Sequence, residues 1–280
     1  MKNAKQIVYV LIGSAMILLS IGLVFMKKPT DATSKGNWGE GENGSQIFSA
    51  PISSLVLEAG ACKVEVIEGD GPDYIVDYEG LKYGTLQMAE TDGNLTISFK
   101  QNDNWSSRMF VENEINSQKI TLTIPRDTVF DSAVFERGAA DIWMDGVSAK
   151  KLYITVGAGA LHADNLVATE FARFKVGAGA FYAEDVTLTN AQLECGVGEM
   201  NLYGTFDGDS TVDCGVGSME LRVDGEQDSY HGDLNCGLGE IDFGYISIDS
   251  SGNKSYGTSS AERRMDIKCG IGKVDVRFNK

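Results

Sequence analysis

The sequence predicts an all-β fold, a parallel β-helix-like solenoid of about 20 residues per coil preceded by one transmembrane helix. Three observations predict it. Beyond residue 46 the chain is written in short runs such as "SSLVLEAG", "CKVEVIEG", "DYIVDYEG" and "KITLTIP", in which apolar and polar residues alternate as they do in half-buried strands. From about residue 132 a Gly-x-Gly recurs at 157, 177, 196, 215, 237 and 270, after a degenerate copy at Gly138, at intervals of 19, 20, 19, 19, 22 and 33 residues. No stretch outside the membrane segment keeps a helical apolar period for ten residues.

Residues 1–6 form a short leader, and 7–26, "IVYVLIGSAMILLSIGLVFM", are uncharged and apolar enough to cross a bilayer once. The run is longer than the apolar core of a secretory signal and ends in "MKKPT", so an uncleaved anchor is expected over a cleaved signal, for which "TDA" at 30–32 is the one weak candidate site. Two lysines flank each side. With so short a leader, the expected topology is N-terminus inside and the large body extracytoplasmic. Residues 27–46, rich in Gly, Ser, Asn, Pro and charge, read as a flexible stalk. The solenoid domain is expected at 47–280, with an N-terminal strand part at 47–131 and the Gly-x-Gly coils at 132–280.

Superimposing the coils gives columns. Val156, Val176, Cys195, Cys214, Cys236 and Cys269 stand just before the first glycine, and Ile154, Phe174, Leu193, Val212, Leu234 and Ile267 two residues earlier. Leu161, Phe181, Met200, Met219, Ile241 and Val274 stand two residues past the second glycine. In a solenoid such columns become ladders inside the tube, and the glycines sit where the chain turns sharply or approaches its neighbour. The strand period points the thiols inward, where a free Cys packs as a small apolar residue. Lys268, Lys273, Arg277 and Lys280, on the last coil in the chain, are expected to blunt the end of the tube.

The other chemistries are poorly supplied. No glycine loop leads into a helix, so no phosphate cradle is expected. Cysteines about twenty residues apart form a straight column rather than the tetrahedron that zinc prefers, and no metal or cofactor is expected. The 40 acidic residues against 24 basic ones give a net charge of −16, which excludes nucleic acid as a partner of the body. His162 and His231 are the only histidines, and no serine sits on a nucleophile turn. Outward acids at Glu199, Glu220, Glu240, Asp242 and Asp275, with an oxygen-rich "DGDSTVD" at 207–213, leave one alternative: a solenoid lyase or hydrolase acting on an acidic glycan.

The alternating N-terminal strands, "ITLTIP" ending at Pro125 before "RDTVFDSAVFERGAADI", and the serial Gly-x-Gly coils resemble the bacterial putative-adhesin family of surface β-solenoid domains. The resemblance covers roughly 47–280 and implies a membrane-tethered solenoid with a role in adhesion or envelope sensing. It transfers no site residues. The expectation is therefore a non-catalytic, monomeric surface binding or scaffold module, held in the bilayer by 7–26, with an envelope protein or glycan as partner. Loops on a rigid scaffold often carry binding, and Trp105, Met109 and Phe110 in the polar stretch 100–118 are the candidate partner-binding residues.

Overall fold

The computed structural model describes residues 32–35, 41–82, 84–101, 117–139, 141–258 and 260–279. The expected leader and membrane segment, Trp105, Met109, Phe110 and Lys280 lie outside them. Among the described residues no helix is long and apolar enough to cross a membrane. The described strands belong to one compact unit, Ala32–Lys280.

The unit is all-β. Its first strands are β1 (Ala32–Lys35), β2 (Glu42–Phe48), β3 (Ser54–Ala59), β4 (Lys63–Gly69), β5 (Tyr74–Leu81), β6 (Gly84–Thr91), β7 (Asn94–Gln101) and β8 (Lys119–Pro125). The coils follow as β9 (Val129–Ala139) with β10 (Ile142–Asp145), β11 (Ser148–Ala158) with β12 (Ala160–Asp164), and β13 (Val167–Val176) with β14 (Ala180–Thr189). Next come β15 (Ala191–Cys195) with β16 (Glu199–Asp207), and β17 (Asp209–Cys214) with β18 (Ser218–Asp224). The last are β19 (Tyr230–Cys236), β20 (Glu240–Phe243), β21 (Ile246–Asp249), β22 (Asn253–Tyr256), β23 (Arg263–Cys269) and β24 (Lys273–Asn279).

Each coil gives one strand to either of two long parallel ladders, and the Gly-x-Gly turn joins them. In the first ladder the inward column runs Ile97, Leu57, Phe135, Ile154, Phe174, Leu193, Val212, Ile267, Leu234, all in register and all buried. In the second, Leu161, Phe181, Met200, Met219, Val274 and Ile241 do the same. A parallel strand every ~4.8 Å puts like side chains on like, so one apolar residue per coil at each position suffices to fill the tube. A short third side, through Ser148, Val167, Thr187 and Thr205, completes the central coils. Asn165 and Asp185 turn into it with φ of 56° and 52°, angles that Asn and Asp tolerate better than most residues.

The order of coils in space is not their order in the chain. At one end β3–β4 lie between β7–β8 and β9–β10. At the other, β23–β24 lie between β17–β18 and β19–β20. Beyond the outermost coils the chain folds back: β6 is antiparallel to β7 and β5 to β8, and β22 is antiparallel to β19 and β21 to β20. The Asp92-Gly93 turn of β6–β7, with positive φ at both residues, is the two-residue hairpin that matches strand twist.

Two expectations need correction. The last coil in sequence is not the end of the tube, and its cations serve neighbouring coils: Lys268 lies 4.0 Å from Asp213, Lys273 2.8 Å from Asp242, and Arg277 3.7 Å from Glu220. Hairpin return strands, rather than those charges, occupy the end. The expected flexible stalk contains β1, paired with β6, and most of β2, paired with β5. A strand added at an edge needs no full apolar column, and β2 carries an alternation of half-buried and exposed residues that composition alone reads as linker.

Candidate functional site

The Gly-x-Gly turns stack into one edge of the tube. Each turn stays hydrogen-bonded to the next: Val197 N donates to Gly177 O and Val216 N to Gly196 O, both at 2.8 Å. This closeness is what requires the first glycine, since a Cβ at Gly196 would lie 2.7 Å from Gly177 O and one at Gly215 2.7 Å from Gly196 O. The second glycine clears a thiol as well. A Cβ at Gly217 would meet Cys195 Sγ at 2.9 Å, and one at Gly239 would meet Cys269 Sγ at 2.8 Å.

Between the glycines the middle residue points out. In spatial order the row is Ala158, Ala178, Val197, Val216, Ile271 and Leu238. The last four are 67%, 55%, 60% and 73% exposed. Single exposed apolar residues are ordinary, but here they form a contiguous row in register, where turns normally carry polar residues. The row is missing from the sequence-based candidates. Its signal in the sequence is the unbroken apolar character of the middle position, which by itself does not distinguish this column from the buried ones beside it.

Charged columns flank the row. On the first-ladder side Lys175 lies 3.4 Å from Glu194, and a groove of about 400 Å³ opens over Cys195 and Cys214. On the other side Glu199 accepts from the Tyr182 hydroxyl at 2.9 Å, which raises the tyrosine pKa above its ordinary value. Farther along, the Lys273 ammonium beside Asp242 holds that carboxyl below its ordinary range.

The acids invoked for glycan cleavage are engaged in such contacts. Glu220 pairs with Arg222 at 2.9 Å, Asp275 with Arg277 at 2.6 Å, Glu240 with Lys273 at 3.3 Å, and Glu199 also accepts from Asn201 at 2.7 Å. His162 is stacked between Trp143 and Tyr182, with ring centroids 5.6 and 5.2 Å away, and Lys63 covers the far face of that ladder at 4.5 Å from Trp143. His231 lies on β19, opposite Arg264 of β23. "DGDSTVD" runs into β17, where alternate residues point to opposite faces, and Asp207 is held by Arg263. Among the described residues no group of three or more His, Cys, Asp or Glu is arranged to hold a metal ion.

One more carboxylate pair stands out. Glu58 and Glu136 are in register on adjacent strands beside a cleft of about 480 Å³. Burial, then the neighbouring Glu58, raises the Glu136 pKa above its ordinary value. Glu58 is contacted by Ser98 Oγ at 3.1 Å and Lys100 Nζ at 3.8 Å.

No curated protein matches the chain. Among solved structures it is similar to a putative adhesin from Bacteroides fragilis, with 15% identity, 86% of this chain and 100% of that one covered, and a TM-score of 0.43. It is similar also to a putative lipid binding protein from Parabacteroides distasonis, with 14% identity, 86% and 99% covered, and a TM-score of 0.40. A putative cell adhesion protein from Clostridium sporogenes gives 13% identity, 85% and 100% covered, and a TM-score of 0.34. The family model for Toastrack DUF4097 matches residues 52–277, the strands and coils just described, and the chain belongs to that family.

Proposed function

We propose that the chain is a membrane-anchored, non-catalytic binding module, a monomeric solenoid that presents its Gly-x-Gly edge to a partner at the cell surface. The observation that carries this reading is the row Val197, Val216, Ile271 and Leu238, apolar and exposed in four successive coils. Aliphatic side chains without aromatic rings suit a protein surface better than a sugar ring, which favours an envelope protein over a glycan as partner. The apolar segment at 7–26 supports tethering.

The test places a photo-crosslinking residue at position 216 or 271 in the full chain on intact cells, with position 211 as control on the first ladder's outer face. A discrete product from the edge positions alone, together with loss of the solenoid epitope to added protease, is expected. Protease-accessible protein that yields no edge-specific product would overturn the binding reading. Full protection from protease would overturn the topology.

A further inference from the structure

The four thiols beneath the edge make one unbroken ladder in the order Cys195, Cys214, Cys269, Cys236, each in register with the next. All are free, and none is more than 5% exposed. A straight column cannot surround a tetrahedral ion, which is why zinc does not suit it. A soft monovalent d10 cation is different, because it prefers sulfur and is satisfied by two donors on a line. Two metal–thiolate bonds of about 2.3 Å span roughly 4.6 Å, close to the ~4.8 Å between in-register strands. A disulfide, which needs its Cβ atoms about 3.5–4.5 Å apart, would be strained at that spacing, whereas this bridge fits it.

Three further features favour the step between Cys195 and Cys214. The groove of about 400 Å³ has Cys195 and Cys214 among its lining residues, above their buried thiols, and the turn glycines beside it carry no side chain to close it. The chain's net charge of −16 concentrates cations around it. Met200 and Met219, also in register and buried, enter the interior from the other side of the same two turns.

We propose that Cys195 and Cys214 bind a soft monovalent cation, Cu(I) or Ag(I), as a two-coordinate bridge between adjacent coils, and that Cys269 and Cys236 repeat the site. Binding replaces two S–H bonds by two S–metal bonds. Both protons leave to solvent, and no electron is transferred. Cys214 Sγ donates to Gly217 O at 3.2 Å and Cys269 Sγ to Gly272 O at 3.0 Å. Those carbonyls also accept from Lys273 N at 3.1 Å and Glu240 N at 3.0 Å, so thiol deprotonation leaves neither unpaired.

The test uses the reduced full chain in detergent under anaerobic conditions, challenged with Cu(I) as its coloured bicinchoninate complex. The folded chain is expected to withdraw two Cu(I), and Cys195→Val with Cys214→Val to withdraw one. Val156 and Val176 already occupy this column, so the variant should keep the parent's far-UV circular dichroism and melting. X-ray absorption of the loaded parent, which does not depend on any variant folding, should show sulfur neighbours only. No withdrawal, withdrawal unaffected by the double substitution, withdrawal only with loss of the β signal, or nitrogen and oxygen neighbours would each overturn the proposal.

Discussion

Cys214 stands in register with Cys269, and Cys269 in turn separates it from Cys236. The last strand pair of the chain is therefore an interior coil. Removing residues 260–280 should not trim the tube but leave β17–β18 and β19–β20 facing each other with their middle missing. Loss of a cooperative thermal transition, with aggregation from the bared strand edges, is expected by circular dichroism and light scattering. A truncated chain that melts cooperatively near the parent would contradict the coil order.

The two roles within a Gly-x-Gly turn predict opposite outcomes at neighbouring positions. Gly217→Ala drives a Cβ against Gly198 O and Cys195 Sγ, and should destabilise the fold by about 2–4 kcal/mol in denaturant titration. Val216→Thr, exposed and without a packing role, should stay within about 0.5 kcal/mol of the parent.

Glu136 makes stability depend on pH with a definite sign. Its folded pKa lies above the ordinary 4.5, so the folded state holds the proton longer than the unfolded chain does. Its contribution is most favourable below the unfolded value and is lost as pH rises through the folded value. Glu136→Gln should melt higher than the parent near neutral pH, with the difference closing below about pH 4. On the alkaline side burial pushes Tyr230 up to about 12, so stability should fall again as pH climbs past the ordinary phenol value of 10.0. Tyr230→Phe should remove that alkaline component.

A buried hydroxyl adds to the antiparallel pairing that holds the return strand β22 to β19. Tyr256 donates to Met265 O at 2.7 Å, where the β19–β23 register skips between His231–Arg264 and Leu234–Ile267. Tyr256→Phe leaves that carbonyl without this donor and should cost about 1–2 kcal/mol, read from the shift of the urea midpoint.

The interior was legible in the sequence because its columns are periodic: Ile154, Phe174, Leu193 and Val212 align by their spacing alone, and each is buried. Coil order was not. Cys214 can stack equally well on Cys236 or Cys269, since both coils carry the same apolar pattern, and nothing local distinguishes an insertion from a continuation. The edge strand Glu42–Phe48 was hidden for a related reason, because one neighbour and one half-buried face require little apolar sequence. The row at Val197, Val216, Ile271 and Leu238 is a column in the sequence too, but apolar character alone does not separate this exposed column from the buried ones.

The return strands have one more consequence, which concerns length. Both ends of the tube are built from out-of-order coils and hairpins that depend on one another, whereas the coils from β11 to β18 follow chain order and repeat the same register. A unit of 19 or 20 residues duplicated or deleted there meets the same ladders above and below it. The ends stay closed, and the tube grows or shrinks by about 4.8 Å per unit. Gene duplication can thus set how many apolar side chains the edge displays without touching the parts that terminate it.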